Sequence, residues 1–262
     1  MAKLLPGVRY DMPVGFGPSI YSATTRVPNA TLISTAFDST PEALADILPD
    51  HLELAEVPTV YVNRIRYDVV DYLHGRGYEE FIVAINARYR NGDEDISAPY
   101  VCAIWVNQVA ALTSGREWMG QAKLYADIPL VEEDGDRLRF EAYEYDTCFL
   151  RGEVRNLRQL PAEQVAKIAR AQNPYSFGWK YMAGLQGKPD IDYATLLKMD
   201  WNYEIAWVGE GESEFLVGSR QQLPVSLSVV ETIANLPVVK RRPAFVGKGP
   251  AVIYRSEARR LP

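Results

Sequence analysis

The amino-acid sequence predicts an α+β domain built on antiparallel sheet with a few short helices. Most of the chain falls into runs of alternating apolar and polar residues, which is the pattern of strands with one buried face. Only a few segments carry the apolar spacing of an amphipathic helix. The 262 residues contain no internal repeat, no low-complexity segment and no linker, so we predict a single domain over residues 1–262.

The first half of the chain predicts four strands and one helix after an irregular start. Residues 1–30 hold several glycines and prolines and predict an irregular lead-in. Thr40 followed by Pro41 is a typical helix start, and we predict that this helix runs to about residue 48. Residues 91–93, Asn-Gly-Asp, predict a turn that leads into an exposed acidic loop. The strands are predicted at residues 31–37, 59–70, 80–89 and 100–107.

The rest of the chain predicts three helices and a series of strands. Residues 108–116 are a candidate helix, with Gly115 near its C-terminal end and a strand carrying Lys123 beyond it. Residues 133–136, Glu-Asp-Gly-Asp, predict a hairpin turn, and residues 173–180 are aromatic and rich in turn-forming residues. The other strands are predicted at 137–145, 147–157, 199–209, 214–217 and 243–255, and the other helices at 161–172 and 225–234.

Composition and charge exclude several classes of protein. The net charge of −6 argues against a nucleic-acid partner, because phosphate binding needs a basic surface. No window holds about 18 uncharged apolar residues, so we expect no membrane span, and the N-terminus lacks the apolar core of a signal peptide. We therefore expect a cytoplasmic protein with neither a nucleic-acid nor a membrane partner.

Histidine and cysteine are scarce, which limits the available chemistry. His51 and His74 are the only histidines, so a histidine-rich metal site is excluded, and a Ser-His-Asp triad would need one of them. Cys102 and Cys148 lie in apolar strand contexts and predict buried free thiols rather than a disulfide. The reactive groups are therefore expected among lysine, glutamate, tyrosine and arginine, with no metal and no cofactor.

One stretch, residues 115–124 (Gly-Arg-Glu-Trp-Met-Gly-Gln-Ala-Lys-Leu), places a lone lysine among apolar and small residues. A lysine amine is protonated at neutral pH, but burial in an apolar site disfavours the charged form. The neutral amine can attack a carbonyl carbon and form a Schiff base. Lys123 is therefore a candidate nucleophile, and the alternative is an ordinary strand lysine whose charged end lies in water.

This stretch resembles the signature of the acetoacetate decarboxylase superfamily, which is Gly-Arg-Glu, two residues, Gly or Ala, one residue, Pro or Ala, and then Lys. The resemblance continues in order from about residue 32 to residue 254, through Ala43-Leu44, Leu48-Pro49, Leu52-Glu53-Leu54, Gly77-Tyr78-Glu79-Glu80, Leu236-Pro237-Val238 and Ala251-Val252-Ile253-Tyr254. It implies a closed antiparallel barrel or cone with outer helices, a Schiff-base lysine at Lys123 inside it, and assembly into a homo-oligomer.

The resemblance and the spacing name further candidate site residues. Glu80 falls at the family's catalytic glutamate, and the alternative is an exposed carboxylate at a strand end. Tyr254 is a candidate proton donor or relay, or else a core aromatic. Gln121, two residues before Lys123, would face the same side of a strand and could bind a carboxylate or a hydroxyl. The remaining candidates are Asn63, Trp118 and Met119 for substrate binding, and Arg116 and Glu117 for structural support.

Three positions depart from the decarboxylases. Leu124 stands where they carry a second lysine, which removes one possible source of amine activation, although desolvation can still supply it. Ala30 stands at their N-terminal arginine, which is linked to the substrate carboxylate, so acetoacetate itself is in doubt as the substrate. Asn63 takes the place of a second cavity glutamate and makes the pocket less anionic.

We therefore expect a Schiff-base lyase that acts on a small oxo acid, its small-molecule partner, through an iminium and an enamine. The missing lysine and arginine favour aldol condensation with dehydration, or dehydration of a 2-oxo acid such as pyruvate. Decarboxylation of a β-keto acid such as acetoacetate is the alternative, because it passes through the same enamine. A second alternative is a barrel that binds a small molecule without catalysis.

Overall fold

The computed structural model describes residues 4–262, and many of these residues lie in one large sheet. Fifteen strands of this part of the chain belong to the sheet, and four α-helices connect its strands. The strands are β1 (Thr24–Asp38), β2 (Glu53–Leu54), β3 (Thr59–Tyr67), β4 (Tyr78–Asn91), β5 (Glu94–Val106), β6 (Lys123–Tyr125), β7 (Glu132–Asp134), β8 (Arg137–Glu144), β9 (Thr147–Gln159), β10 (Tyr175–Ala183), β11 (Pro189–Trp201), β12 (Ile205–Phe215), β13 (Lys240–Arg241), β14 (Ala244–Tyr254) and β15 (Arg259–Arg260). The helices are α1 (Pro41–Ala45), α2 (Val109–Ser114), α3 (Ala162–Ala171) and α4 (Leu227–Ala234).

The sheet closes on itself because β1 has a partner on each side. β1 is antiparallel to β3 and also to β14, where Thr24 lies opposite Tyr254 and Ser34 opposite Phe245. From β3 the strand order runs through β4, β5, β10 and β11 and returns to β14. These strands form a ring, which confirms the predicted barrel or cone, and β12, β9, β8 and β7 extend the sheet from β14. The pairings of β5 with β10 and with β6 are parallel, so the sheet is not purely antiparallel.

The alternation of β4 decides which residues line the ring and which build the core. Phe81 and Val83 are buried in the main hydrophobic core, where Phe81 packs on Phe140 of β8 with ring centres 5.7 Å apart. Glu80 and Ile82 point the other way and line the interior of the ring. These two faces follow from the two-residue period of a strand, as the sequence predicted.

The predicted irregular lead-in is too long. β1 begins at Thr24, inside the predicted segment 1–30, because residues 24–27 find hydrogen-bonding partners on β14. The described residues before β1 contain one short 3₁₀ turn, Val14–Phe16, and are otherwise irregular, as predicted. Residues 1–3 of the predicted lead-in lie outside the described residues.

The first helix and the first hairpin are shorter than predicted. Helix α1 ends at Ala45 rather than near residue 48. The turn at residues 91–93 is confirmed, but no acidic loop follows it, because β5 begins at once with Glu94. The Glu94 carboxylate forms an ion pair with Arg259 of β15, so an acidic residue that suggested a solvated loop is held on a strand.

Two further segments differ from prediction in the second half of the chain. Residues 173–180 form most of β10, since their aromatic side chains, such as the buried Phe177, pack inside the sheet. The predicted strand 199–209 is divided between β11 and β12 by residues 202–204, where the amides of Asn202 and Glu204 donate to carbonyls of β14. The predicted break after residue 209 is absent, because β12 continues to Phe215.

The other predicted helices are confirmed with small shifts. Residues 161–172 contain α3, residues 225–234 contain α4, and residues 108–116 contain α2. No helix within residues 4–262 is long and apolar enough to cross a membrane. Both cysteines are free thiols, as predicted, although Cys102 and Cys148 are half-buried rather than fully buried.

Candidate active site

The ring surrounds a cavity of about 470 Å³ that every strand of the ring helps to line. Its wall is mainly apolar and aromatic, as in most small-molecule sites. Three charged side chains reach it, Glu80 from β4, Lys123 from β6 and Arg255 just after β14. Within residues 4–262 no three His, Cys, Asp or Glu side chains gather as metal ligands would. The chemistry of the cavity therefore depends on two cations and one carboxylate.

Lys123 is the most enclosed amine of the cavity wall. It begins β6, which runs parallel to β5 and places the lysine opposite Ile104. Lys123 is 4% exposed, and its Nζ lies 3.0 Å from Oε2 of Glu80. The ring centre of Tyr78 is 5.7 Å from the same Nζ. The amine is thus shielded from water by an aromatic ring and faces one carboxylate.

Glu80 connects the amine to a second proton-carrying group. The hydroxyl of Tyr67, on the adjacent strand β3, donates a hydrogen bond of 2.8 Å to Oε1, while Oε2 faces Lys123. Burial, together with the charge of Glu80, raises the pKa of Tyr67 well above its ordinary value, so this hydroxyl keeps its proton. We call Lys123, Glu80 and Tyr67 the buried relay.

The residues before Lys123 fold into a single π-helical turn, Gly115–Met119, directly after α2. Such turns are rare and occur often at functional sites. A Cβ at Gly115 would lie 2.7 Å from Cδ and 2.8 Å from Cε of Lys123, so the lysine stem needs the space that glycine leaves. Gly120 ends the turn with a φ of 72°, which glycine adopts without strain. Gly115 is therefore required by the space that the Lys123 side chain fills, and Gly120 by its positive φ.

The structure places three predicted substrate-binding residues around the relay. Gln121, Met119 and Asn63 all line the same cavity as Lys123 and Glu80. The Oδ1 of Asn63 is buried and has no hydrogen-bond partner in the described structure. A buried acceptor without a partner is costly, which makes this atom a contact point for a ligand donor.

Arg116 and Glu117 lie beside the cavity rather than in its wall. Arg116 donates a 3.0 Å hydrogen bond from Nη1 to the main-chain carbonyl of Lys123, which is the kind of structural support that the sequence suggested. Glu117 is half-buried near Lys180, whose pKa is lowered mainly by burial and by a neighbouring arginine while Glu117 opposes that change. Neither side chain approaches the amine of Lys123 as a reacting group.

Tyr254 does not lie where its predicted catalytic role requires. Its neighbours Ile253 and Arg255 line the cavity, and Tyr254 lies between them on the opposite face of the strand. The ring centre of Tyr254 is 4.5 Å from Nζ of Lys198, and a hydrogen bond with Asp200 raises the pKa of its hydroxyl. The structure thus separates Tyr254 from the buried relay.

Trp118 also lies outside the cavity wall. The guanidinium carbon of Arg9 stands 3.5 Å from the centre of the Trp118 ring, and the ring of Tyr21 is 6.5 Å away. The guanidinium of Arg255 lies on the same ring at 5.8 Å. Trp118 therefore packs against Arg255 from outside the cavity, whereas the sequence suggested that it contacts a substrate.

Two of the positions that depart from the decarboxylases, Leu124 and Ala30, lie outside the cavity wall. Leu124 packs against the main core, on the opposite face of β6 from the cavity-lining Lys123. A cation at residue 124 would therefore lie outside the cavity, so its loss leaves the charge of the cavity unchanged. Ala30 is 2% exposed in β1 and is not part of the cavity wall.

Several polar residues of the cavity were not predicted from sequence, among them Tyr67, Arg255 and Tyr72. Tyr67 lies on the same face of β3 as other lining residues, so its place in the alternation was the available signal. Arg255 follows Ile253 by two residues, and the same alternation could have found it. Tyr72 lies in the 3₁₀ turn Asp71–Leu73, which no sequence pattern predicted. Burial raises the pKa of Tyr72 to about 12.

A second buried ion pair lies on the other face of β3 and β4. Arg64 and Glu79 are 2% and 6% exposed, and Nη2 of Arg64 lies 2.7 Å from Oε2 of Glu79. This contact is short but poorly aligned, because Oε2 makes no hydrogen bond in the described structure. Burial outweighs the nearby arginine charges and raises the pKa of Glu79 to about 7. The pair is separate from the relay, and Arg64 lines another concave surface of about 480 Å³.

Comparison with known proteins gives a consistent family. The model of the acetoacetate decarboxylase family matches residues 11–247. No curated protein matches the chain. Among solved structures, an acetoacetate decarboxylase from Legionella pneumophila has a TM-score of 0.72 at 19% identity, and the match covers 94% of this chain and 92% of that protein.

Two other similar structures are not themselves called decarboxylases. An acetoacetate decarboxylase-like enzyme from Sphingomonas wittichii has a TM-score of 0.67 at 15% identity, over 93% of this chain and 95% of that one. The enduracididine biosynthesis enzyme MppR, solved with pyruvate, has a TM-score of 0.70 at 12% identity, over 97% and 98%. These structures show a shared fold, and the family model spans most of the sequence. The chain belongs to the acetoacetate decarboxylase family.

Proposed function

We propose that this protein is a Schiff-base lyase that acts on a small oxo acid. The observation that carries the proposal is the contact of 3.0 Å between Nζ of Lys123 and Oε2 of Glu80 inside a cavity lined mainly by apolar side chains. A lysine must lose a proton before it attacks a carbonyl carbon. Here the acceptor for that proton stands within hydrogen-bond distance of the amine.

The buried relay supports each proton transfer of the proposed reaction. Glu80 accepts a proton from the amine of Lys123, and the neutral nitrogen attacks the ketone carbon to form a carbinolamine. Glu80 returns the proton to the departing hydroxyl, so that water leaves and an iminium remains. The iminium accepts the electron pair of an adjacent C–H or C–C bond and becomes an enamine, while Glu80 takes the proton of the C–H bond or carbon dioxide leaves from the C–C bond. Tyr67 keeps Oε1 hydrogen-bonded and leaves Oε2 facing the reacting nitrogen.

We favour aldol condensation with dehydration, or dehydration of a 2-oxo acid such as pyruvate, as the reaction of the enamine. The cavity of about 470 Å³ falls in the range that holds drug-sized ligands. It therefore has room for a second carbonyl compound, or a large substituent, beside an oxo acid of three carbons. MppR has been solved with the condensation product of pyruvate and an imidazole carboxaldehyde, and its fold is similar to this one.

Decarboxylation of a β-keto acid such as acetoacetate is the second candidate. It is favoured by the placement of Leu124 in the main core, because the missing second lysine then changes nothing inside the cavity. A non-catalytic binding barrel is the third candidate. The buried relay argues against it, since a binder gains nothing from an enclosed amine beside a carboxylate that can take its proton.

The test is borohydride trapping with pyruvate and with acetoacetate in parallel, followed by intact mass and peptide mapping. We expect a reduced adduct on Lys123 with pyruvate and no carbon dioxide from acetoacetate. Release of carbon dioxide from acetoacetate would establish the decarboxylase instead. The Lys123→Ala variant should lose the adduct and turnover while keeping its fold.

Lys180→Ala is the matched control for the trapping experiment. Lys180 is half-buried beside the signature turn but is not part of the cavity wall, so this variant should be trapped like the wild type. Turnover that survives in Lys123→Ala would refute the Schiff-base mechanism. Absence of any adduct with either acid, together with binding of both, would support the binding barrel.

A further inference from the structure

The cavity contains an arginine that the proposed mechanism does not use. Arg255 follows β14, is 2% exposed and lines the same cavity as Lys123. Its Nη1 donates a hydrogen bond to the buried hydroxyl of Thr25. Its guanidinium carbon lies 4.5 Å from the ring centre of Tyr72 and 5.4 Å from that of Tyr21. The guanidinium is therefore held in one place by a hydroxyl and by aromatic rings.

Arg255 has no carboxylate partner among residues 4–262. None of the ion pairs of the described chain includes it, and its Nε is buried without a hydrogen-bond acceptor. A guanidinium remains charged at every ordinary pH, and an isolated buried charge is strongly unfavourable. A buried arginine kept in this state is best explained by an anion that it binds.

The charge balance of the cavity indicates what kind of anion fits. Glu80 and Lys123 face each other and cancel, so the charge of Arg255 remains uncompensated. Other buried polar atoms of the cavity also lack partners, namely the Tyr72 hydroxyl, Ser114 Oγ and Asn63 Oδ1. The lining thus offers one positive charge and several neutral polar contacts, which suits a single carboxylate better than two.

The orientation of Arg255 also suits a carboxylate. Thr25 occupies Nη1, which leaves the edge formed by Nε and Nη2. That edge carries two parallel N–H groups and matches the two oxygens of a carboxylate. Because aromatic rings already hold the guanidinium, little side-chain freedom is lost when the anion binds.

We propose that Arg255 binds the carboxylate of the substrate while Lys123 attacks its ketone, so that the substrate class is an oxo acid with one carboxylate. The role of Lys123 rests on the proposed function, whereas the anion site at Arg255 does not. No arginine of β1 lines the cavity, and Arg255 supplies a guanidinium from just after β14.

The direct test measures binding of lactate, a carboxylate that has no ketone and forms no imine, by calorimetry or ligand-detected NMR. Wild type should bind lactate more tightly than its neutral amide, lactamide. Arg255→Gln should weaken lactate binding by roughly 30-fold or more, as expected for truncation of one partner of a buried charge pair. Lactamide binding should change little in the same variant.

Matched variants separate this proposal from the proposed function. Arg259→Gln, which alters an exposed arginine of β15, should bind lactate as wild type does. Arg255→Lys keeps the positive charge but loses the two parallel N–H groups of the guanidinium. We expect its affinity for lactate to lie between those of wild type and Arg255→Gln. Circular dichroism and thermal unfolding verify that each variant is folded.

Equal affinity of the wild type for lactate and lactamide, or binding of neither, would overturn the proposal without any variant. Undiminished lactate binding by a folded Arg255→Gln would do the same. If lactate binding depends on Arg255 but borohydride traps no adduct on Lys123, the carboxylate site stands and the Schiff-base function fails.

Discussion

At the scale of single residues, Glu80 decides what the cavity can do with Lys123. It is the carboxylate in contact with the amine, and it holds that position because Tyr67 occupies its other oxygen. A carboxylate with only one of its oxygens fixed can take a proton and give it back without turning away. The hydroxyl of Tyr67 therefore acts through Glu80 rather than on the substrate.

We expect Tyr67→Phe to slow trapping of pyruvate by about tenfold or more, because a hydrogen bond to a charged group is worth about 1.5–3 kcal/mol. The apparent affinity for the oxo acid should change less than the rate. The measurement is the rate of adduct formation at saturating pyruvate. Tyr89→Phe is the matched control, since Tyr89 is equally buried but donates to the carbonyl of Pro262. Equal rates in both variants would remove Tyr67 from the relay.

A second residue-scale prediction concerns Glu79 and stability. Its pKa is raised from 4.5 to about 7 in the folded state, so the folded protein holds a proton that the unfolded chain has lost between these values. The contribution of Glu79 to stability is therefore fully present below pH 4.5 and is lost as pH rises to about 7. Relative to Glu79→Gln, wild type should lose about 1–3 kcal/mol of unfolding free energy across this range.

Urea unfolding of wild type and Glu79→Gln at a series of pH values tests the direction of this pH dependence. Glu153→Gln is the control, because its stability difference from wild type should change with pH in the opposite direction. A hydrogen bond with Arg139 lowers the pKa of the Glu153 carboxyl. Wild type should gain stability relative to this control variant as pH rises through the acidic range to 4.5, the ordinary pKa of the carboxyl. A stability difference between wild type and Glu79→Gln that does not change with pH would contradict the raised pKa.

At the scale of elements, the π-helical turn Gly115–Met119 fixes the direction in which Lys123 enters the ring. The lysine stem packs directly on Gly115, and the carbonyl of Met119 accepts a hydrogen bond of 2.9 Å from Thr195 of β11. The turn is thereby attached to β11, another strand of the ring. Its sequence is constrained by this packing as much as by the chemistry of the lysine.

Gly115→Ala should displace the Lys123 side chain and reduce adduct formation by about tenfold to a hundredfold, since misplacement by about 1 Å can cost that much. Folding should be retained, because the φ of Gly115 is −64° and any residue can adopt it. Gly15→Ala is the control, as a Cβ there meets no atom within 4 Å. Trapping of Gly115→Ala at the wild-type rate would show that the lysine stem moves freely.

Much of the segment that carries Lys123, and of β4, could be predicted from sequence, because strand alternation and residue spacing are local patterns. The alternation of β4 predicted that Glu80 and Phe81 lie on opposite faces, and the resemblance to the decarboxylase family predicted that Lys123 and Glu80 belong to the site. Tyr254 was misplaced because a shift of one residue along a strand exchanges its two faces, and Arg255 occupies the face that Tyr254 was expected to take. The buried contact between Lys123 and Glu80 depends on strand register, which no local pattern contains.

At the scale of the whole molecule, the ring accounts for the cavity but not for every apolar side chain. Phe16 and Ile20, before β1, are 91% and 76% exposed. Large apolar side chains that are left exposed to water often mark a contact between proteins. We propose that they contribute to assembly of the chain into a homo-oligomer.

Light scattering coupled to size-exclusion chromatography measures this assembly. We expect wild type to elute as an oligomer, and Phe16→Glu combined with Ile20→Glu to shift it towards smaller species by introducing charges into the contact. Leu185→Glu, at another exposed apolar position, should leave the mass unchanged. A wild-type protein that elutes as a monomer would contradict the proposed assembly.

The closure of the ring by β1 and β14 also has a consequence for the order of events during synthesis. These strands come from the two ends of the sequence, and pairing of such distant segments is entropically costly and slow. Lys123, Glu80 and Tyr67 leave the ribosome long before β14 does, so the growing chain carries the whole relay without the wall that excludes water. A nascent chain that stops before β14 should therefore show no activity, and translation of β14 completes the cavity wall.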